Sequence, residues 1–349
     1  MERERLFVTG ASGLIGRELV AAARADGVEI VRALSRGAGP AESVAGTSGP
    51  GKSLTGGSPL GEPASVEWVR GDLRDPGPWA ARLEGCRAVL HLGASTGRAS
   101  ADVHRATNLE ATRALIRAAR DAGVPRFVFV STIAAGYPEL ERYPYAAAKR
   151  EAEEAVRASS LAWTVLRPTI VLGAASGIGP ALAKFARLPL TPLFGSGGTR
   201  VQPIAAHDCA RLILEAAREA ATVGATIDLG GPDVITFREL LARLRVAFGR
   251  EGRHFLRLPL SASIRAAWIA ERVLGPRLPV LAGQLYSFRY DSTARSSPFL
   301  DRRASTLMRL DDVIAKLAAE LADDRADDRA DDHADDNGGG RRSAEAPRG

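Results

Sequence analysis

Short apolar runs and amphipathic stretches alternate along the first half of the chain. The runs have the length and composition of buried strands, and we predict strands over 6–8, 29–34, 66–69, 89–92 and 126–130. Apolar residues recur at helical spacing over 14–25, and a longer helix is predicted over 102–122, ended by Gly123. Strands that alternate with helices predict an α/β fold with a doubly wound parallel sheet.

The second half is expected to add a smaller portion on one side of this sheet. We predict a strand over 161–171, a loop over 173–199 and three helices, over 208–220, 237–249 and 310–321. The third helix leads into polar tetrads of the Ala-Asp-Asp-Arg type, which have no apolar face to bury. We therefore divide the chain into a sheet domain over 1–172, a mixed region over 173–321 and a disordered tail over 322–349.

The segment 37–65 differs in composition from its surroundings. It consists largely of Gly, Pro, Ser and Ala and is predicted to be a disordered insertion, because it lacks the apolar surface that would offset its ordering entropy. Residues 46–53 within it match the phosphate-loop pattern G-x-x-x-x-G-K-S. No predicted strand precedes the match and no helix can follow it, so it does not indicate an ATPase.

The first strand runs directly into a glycine-rich turn and a helix. Gly10, Gly13 and Gly16 permit a sharp turn, close approach of a pyrophosphate and close packing of the helix, respectively. The helix amino terminus, with Ser12, Leu14 and Ile15, offers free N–H groups and the positive end of the helix dipole. Because strand, turn and helix occur in the required order, 1–172 is predicted to be a dinucleotide-binding domain of the Rossmann type.

Three further segments reach the same edge of the predicted sheet. The second strand ends at Ser35-Arg36 without a carboxylate, which favours the 2′-phosphate of NADP over the free ribose of NAD. After the third strand, Asp72 is placed to accept a hydrogen bond from the adenine amino group, with Leu73 beside it. After the fourth strand, small residues leave space for a ribose: Gly93, Ala94 and Ser95.

The next strand delivers a candidate catalytic group to that edge. Ser131 follows the strand directly, and Tyr145 and Lys149 lie at i and i+4 on one face of a predicted helix. A lysine near a phenol favours the phenolate, and the Ser131 hydroxyl can bind the same substrate oxygen. This arrangement suits proton exchange with an alcohol or carbonyl while hydride moves to or from a nicotinamide.

Composition excludes several other classes. The chain has 349 residues, 45% of them hydrophobic, which is enough for a sizeable core. Cys86 and Cys209 form no framework and the five histidines have no metal-ligand spacing, so we expect a reducing cytoplasmic compartment and no metal site. We expect no signal peptide and no membrane span. The net charge of +6 is spread over arginines rather than gathered in a stripe, which argues against nucleic-acid binding.

An apolar region dotted with arginines lies between Leu258 and Leu285 and includes Trp268. This region has three possible roles. It covers the substrate pocket by burial against the first domain, it contacts a partner, or it makes a weak peripheral contact with a membrane surface. Burial is the favoured interpretation.

Taken together, the motifs resemble short-chain dehydrogenases/reductases of the extended or atypical type, the NAD-dependent epimerase/dehydratase superfamily. The resemblance covers roughly Leu6 to Phe248 without the insertion, and it is carried by five segments in the family's order: 9–16, 71–73, 130–132, 145–149 and 166–169. Segments 145–154, 201–204, 207–208 and 229–233 are most similar to the branch of the nucleotide-binding accessory subunit of respiratory complex I.

The resemblance implies that Tyr145 is the acid/base, that Lys149 also binds the nicotinamide ribose, and that Ser131 or Thr132 polarises the carbonyl. Pro168 is placed near the cofactor. The connection between Ser131 and Tyr145 is shorter than in sugar-nucleotide enzymes of the family, which weakens a sugar-nucleotide activity and leaves open that Tyr145 is a vestige without a catalytic role. Tyr137 and Tyr143 are rival phenols.

The leading hypothesis is an oxidoreductase that uses NADP(H), with NAD(H) as the second option, on an unidentified carbonyl or alcohol. Two alternatives remain open: a sugar-nucleotide epimerase or dehydratase with tightly held NAD, and a non-catalytic NAD(P)H-binding assembly factor or redox sensor.

Overall fold

The computed structural model describes residues 4–37, 65–97, 99–175, 177–250, 252, 254–274 and 281–322. The predicted insertion over 37–65 and the predicted tail over 322–349 lie outside the described residues except for their end residues 37, 65 and 322. The phosphate-loop match at 46–53 lies wholly outside them.

A seven-stranded parallel sheet forms the centre of the molecule, which confirms the predicted fold class. The strand order is β11-β6-β5-β4-β1-β2-β3, so the order reverses beside β1. The strands have these bounds: β1 Arg5–Thr9, β2 Ile30–Ser35, β3 Ser65–Arg70, β4 Ala88–His91, β5 Arg126–Val130, β6 Ala162–Pro168 and β11 Thr226–Leu229.

Both faces of this sheet are buried. Successive side chains of a strand point to opposite sides of the sheet, so each strand contributes to two cores. Leu6 and Val8 of β1 face one core together with helix α6 (Ala206–Arg218), whereas Phe7 faces the other with Trp79 and Phe127. Helix α1 (Leu14–Ala25) packs on the α6 side. All five residues of β5 are buried, as its nearly continuous apolar sequence predicts.

The helix predicted over 102–122 contains a local irregularity. It begins as α2 (Ala101–His104), passes through a π-helical turn (Arg105–Glu110) and continues as α3 (Ala111–Asp121). Such turns often occur at functional sites. Helix α4 (Pro144–Arg157) follows β5 and packs against the π-helical turn, which brings its first residues toward the carboxyl edge of the sheet.

Two predictions for the second half are wrong in detail. The strand predicted over 161–171 breaks after Pro168, and β7 (Val171–Leu172) pairs with β10 (Ile204–Ala205) instead of the main sheet. The expected loop over 173–199 contains α5 (Ile178–Arg187) and β8 (Thr191–Phe194). Leu182 of α5 and Leu193 of β8 bury their side chains in a third core, which explains why this segment is ordered.

The remaining elements of the second half contribute to three different cores. They are β9 Arg200–Val201, β12 Ile235–Thr236, α7 Phe237–Ala247, β13 Phe255–Leu258, α8 Leu260–Leu274, α9 Ala282–Tyr286, α10 Pro298–Asp301 and α11 over 310–322. Thr236 caps α7, since its hydroxyl accepts a hydrogen bond from the Glu239 N–H. Across the described parts of the chain, the helices are too short or too polar to cross a bilayer.

Candidate active site

The glycine turn after β1 is packed so closely that its glycines cannot be replaced by residues with a side chain. Gly10 has a φ of +73°, and a Cβ there would lie 2.7 Å from the Gly93 nitrogen. A Cβ at Gly16 would lie 2.1 Å from the Gly10 carbonyl oxygen. Both positions therefore require glycine for backbone contact, one with the loop after β4 and one within the turn.

The amino terminus of α1 is open toward the same edge. Its N-cap, Gly13, is extended and supplies no capping side chain, and Ser12 is exposed. The N–H groups at the start of a helix without such a cap are suited to phosphate oxygens. Leu14 and Ile15 occupy the first turn. This cradle of small residues and uncapped N–H groups fits the pyrophosphate of a dinucleotide.

The tips of β2 and β3 carry two arginines and one carboxylate. Arg36 is exposed and makes no hydrogen bond or ion pair with any other described residue, and it lowers the pKa of Asp72 through its charge. The main cause of that shift is Arg74, whose Nη2 lies 2.7 Å from Asp72 Oδ2, and together they lower the pKa of Asp72 to about 2. Leu73 is buried beside Gly93.

Asn108, in the π-helical turn, holds the loop of small residues after β4. Its Oδ1 accepts from the Ser95 N–H at 2.7 Å, and its Nδ2 donates to the Ser95 carbonyl at 3.0 Å. Gly93 donates its N–H to the Thr9 hydroxyl at 3.0 Å. The backbone of 93–95 is thereby fixed at the carboxyl edge of the sheet, where a ribose is expected.

A buried histidine links this loop to the interior. Thr112 donates its hydroxyl to the Asn108 carbonyl, so His91 Nε2 must donate to Thr112 at 2.8 Å, and His91 Nδ1 accepts from Thr9 at 2.7 Å. Burial holds the pKa of His91 well below its ordinary value. His91 is therefore neutral, with its proton on Nε2, and serves as a fixed part of the frame.

Tyr145 lies in the first turn of α4, and its hydroxyl lies near the hydroxyl of Thr132. Burial raises the pKa of Tyr145 to about 12, although the nearby Thr132 hydroxyl lowers it. The His104 ring packs edge-on against the Tyr145 ring at 5.6 Å between centroids. The rival phenol Tyr143 lies 5.9 Å from Tyr145 by the same measure, and burial raises its pKa.

Lys149 is buried one helical turn after Tyr145. Its Nζ donates to the Val130 carbonyl at 2.7 Å and lies 4.0 Å from the centre of the Phe129 ring. Burial lowers the pKa of Lys149 to about 7, against the opposing effect of Glu153. The ammonium group is thus held at the carboxyl end of β5, where Ser131 and Thr132 begin.

Ser131 and Thr132 point to different surroundings. The buried Ser131 hydroxyl has no hydrogen-bond partner of normal geometry among the described residues, but it lies close enough to the Glu153 carboxylate to help lower the pKa of that group. Glu153 is fully buried and accepts from Arg167 at 2.6 Å and Arg157 at 2.5 Å. The Thr132 hydroxyl lies near the Tyr145 hydroxyl, whereas the Ser131 hydroxyl lies near the Glu153 carboxylate.

All five tyrosines of the chain gather near this site. Tyr137 and Tyr290 stack at 5.0 Å, Tyr286 meets Tyr290 at 6.1 Å, and Tyr143 packs with Tyr137 and Tyr290 in one apolar cluster that adjoins Tyr145. Two of these residues come from the region after α8, about 145 positions further along the chain. Pro168, by contrast, lies at the end of β6 beside Leu229.

Several of these groups were absent from the sequence-based site. Asn108 and His104 carry a detectable signal in the sequence, because they are two polar residues four apart on a helix face that continues with apolar residues at 111, 115 and 119. Tyr286 and Tyr290 carry none, since nothing in their local sequence links them to α4.

Comparison with known proteins places this geometry in context. A family model described as NAD(P)H-binding matches residues 10–220, more than half of the chain. A ceramide reductase from Caulobacter vibrioides is 32% identical over 58% of this chain and 57% of its own length. Subunit 9 of the NADH dehydrogenase [ubiquinone] 1 alpha subcomplex from Arabidopsis thaliana is 26% identical over 74% of this chain and 64% of its own length. The chain thus spans less than two thirds of each relative.

Among solved structures, DesIV, a dTDP-glucose 4,6-dehydratase from Streptomyces venezuelae with NAD bound, superposes with a TM-score of 0.67. It covers 92% of this chain and 98% of its own, at 23% identity, which supports the fold assignment. The resemblance inferred from the motifs is confirmed. The chain belongs to the family described as NAD(P)H-binding.

Proposed function

We propose that the protein is an NADPH-dependent reductase that converts a ketone to an alcohol. The observation that carries the proposal is the geometry of α4: its first turn holds Tyr145 near the Thr132 hydroxyl, and its next turn holds Lys149, whose Nζ donates to the Val130 carbonyl. These residues follow β5 at the same edge of the sheet as the glycine turn that fits a pyrophosphate.

In this proposal, residues of the chain donate the proton and bind the substrate oxygen. Nicotinamide supplies the hydride when it is bound. Tyr145 donates its phenolic proton to the carbonyl oxygen, which becomes the alcohol hydroxyl as the carbonyl carbon gains hydrogen. Thr132 binds the same oxygen, and Lys149 stabilises the phenolate that remains. The predicted role of Ser131 passes to Thr132 in this proposal, because the Ser131 hydroxyl lies beside Glu153.

NADPH is proposed over NADH because of the charge at the tips of β2 and β3. Arg36 makes no ion pair within the described residues, whereas both carboxylate oxygens of Asp72 already accept from Arg74. A 2′-phosphate would give Arg36 a charge-assisted partner, and no carboxylate at the end of β2 is present to favour a free 2′-hydroxyl.

Reduction is favoured over epimerisation by the ceramide reductase relative, and its name makes long-chain amphiphilic ketones the first substrates to test. A second candidate is a non-catalytic NAD(P)H-binding subunit. Similarity to the complex I subunit over 74% of this chain favours it.

The test combines cofactor binding with turnover. Purified protein is titrated with NADPH and NADH by fluorescence, and NADPH oxidation is then followed with ketones that range from short and water-soluble to long-chain and amphiphilic. NADPH consumption that depends on a ketone supports the reductase. Binding of NADPH without turnover across the panel overturns it in favour of the second candidate. NAD released from the purified protein by denaturation overturns it in favour of an epimerase or dehydratase.

A further inference from the structure

Helix α8 presents an unusual outer face. Trp268, Ile269 and Val273 are 48%, 61% and 81% exposed, and Val273 is the most exposed large hydrophobic residue of the described chain. The inner face of the helix packs on α9 and not on the first domain, so burial against the first domain, the interpretation favoured from the sequence, does not describe this helix. That inner face carries Ile264, which packs with Ala282 and Leu285 of α9.

The outer face is ordered into two rows. At 3.6 residues per turn, Ala262, Ala266, Ile269 and Val273 form one apolar row along the helix. Trp268, Arg265 and Arg272 form a row beside it, and the Arg272 guanidinium stacks on the Trp268 ring at 3.5 Å. Isolated exposed apolar residues are common on proteins, but a continuous row bordered by arginines is a pattern typical of interfacial helices.

Charge is segregated on α8 as well. Its single carboxylate, Glu271, faces inward and accepts a hydrogen bond from the Ala282 N–H at the start of α9. The outer face of the helix thus carries two cations and no anion. Against a second copy of this helix, Arg265 and Arg272 would repel their own equivalents, whereas an anionic surface would attract both.

We propose that the outer face of α8 docks on the surface of a bilayer that contains anionic lipid. Ile269 and Val273 enter the boundary between headgroups and acyl chains, Trp268 lies at that boundary, and Arg265 and Arg272 extend to the phosphates. This inference does not depend on the reductase proposal, because the outer face of α8 contains none of the residues assigned to the cofactor or the proton.

The test is co-sedimentation of the full chain with vesicles. One set contains phosphatidylcholine alone and the other contains phosphatidylcholine with phosphatidylglycerol. Binding to the second set at low salt, weakened by high salt, is the expected result. Val273→Asp should weaken partitioning roughly tenfold, and Arg265→Ala with Arg272→Ala should weaken it about fivefold per arginine.

Matched variants separate this surface from general effects. Val223 is 46% exposed just before β11, and Arg117 is exposed on α3. Val223→Asp and Arg117→Ala should leave vesicle binding unchanged. Thermal unfolding and NADPH titration of each variant check that folding is retained. Failure of the wild-type chain to bind either vesicle overturns the proposal, as does equal loss in the control variants. Vesicle binding unchanged in Val273→Asp, together with loss of a dimer in that variant, assigns the face to a second copy instead.

Discussion

At Tyr145, burial and hydrogen bonding act on the same hydroxyl in opposite directions. Burial dominates and raises the pKa of Tyr145 to about 12, so the phenol is protonated at neutral pH and can serve as a proton donor. We expect Tyr145→Phe to lower kcat for ketone reduction roughly 10²- to 10⁴-fold, the usual contribution of a positioned acid. The measurement is NADPH oxidation at saturating ketone.

Tyr143→Phe is the matched control, since Tyr143 is a buried phenol two positions away. It should retain most of the turnover, and both variants should bind NADPH as the wild type does. A large loss confined to Tyr143→Phe would assign the acid role to Tyr143.

Lys149 makes the stability of the cofactor-free protein depend on pH. Its pKa is about 7 in the folded chain and 10.5 in its ordinary state, so between these values the unfolded chain binds more protons. The free energy of unfolding therefore rises with pH between about 7 and 10.5. Below pH 7 the lysine is protonated in both states, and burying its charge then destabilises the folded chain by the full amount. We expect Lys149→Met to raise the free energy of unfolding at pH 7 by at most about 4 kcal/mol.

Urea unfolding at pH 6, 7 and 9 checks this expectation. The gain in Lys149→Met should shrink as pH rises, whereas Lys184→Met, at an exposed lysine on α5, should follow the wild-type profile. A constant difference between Lys149→Met and the wild type across the three pH values would contradict the assignment.

Arg36 is the residue on which the proposed preference for NADPH depends. If it binds a 2′-phosphate through charge-assisted hydrogen bonds, Arg36→Ala should weaken NADPH binding roughly 10- to 100-fold and change NADH binding little. Fluorescence titration measures both affinities. Arg117→Ala, at another exposed arginine, is the control, and equal affinity of the wild type for the two cofactors would remove the basis for NADP preference.

The site residues differ in how far sequence alone could find them. Tyr145 and Lys149 share one helix and follow a strand, so spacing and order predict that they meet. The choice between Ser131 and Thr132 depends on side-chain direction after β5, which periodicity does not fix. In the structure the Thr132 hydroxyl points toward Tyr145, and the Ser131 hydroxyl points toward Glu153.

At the scale of elements, the turn between β1 and α1 leaves almost no room for a side chain at Gly16. A Cβ at Gly16 would lie 2.1 Å from a backbone carbonyl oxygen, which cannot move without displacing α1. We expect Gly16→Ala to destabilise the protein by about 2 kcal/mol or more and to abolish dinucleotide binding. Thermal unfolding and NADPH titration measure the two effects.

Gly77→Ala is the comparison, because a Cβ there would meet its nearest neighbour at 3.4 Å, an ordinary contact. It should change stability by no more than about 0.5 kcal/mol. Similar stability of the Gly16 and Gly77 variants would show that the turn tolerates a side chain.

Element prediction succeeds where local pattern and tertiary environment agree. The run at 126–130 is apolar and is buried on both faces as β5, so its bounds are correct. The strand predicted over 161–171 ends early because the chain leaves the main sheet after Pro168 and pairs elsewhere. The π-helical turn at Arg105–Glu110 has no periodic signature, since one extra residue in a turn barely alters the apolar pattern.

At the scale of the whole molecule, the segment 282–290 returns to helix α4. Gly283 of α9 approaches Tyr143 so closely that a Cβ would lie 3.0 Å from the neighbouring Arg142 carbonyl oxygen, and Tyr290 packs on Tyr137. Sequence separation hides these contacts from any local pattern. The segment 282–290 thereby forms part of the surroundings of Tyr145, whereas the glycine turn packs against the loop after β4.

This division predicts that substrate and cofactor binding can be changed separately. Tyr290→Ala removes a stacked ring worth about 1 kcal/mol from the cluster beside Tyr145. We expect the KM for ketone to rise several-fold while the Kd for NADPH stays within a factor of two. Phe248→Ala, which removes a half-buried ring from the third core, should lower stability without raising KM. Equal weakening of ketone and NADPH binding by Tyr290→Ala would show that the region after α8 supports the whole site and not the substrate side alone.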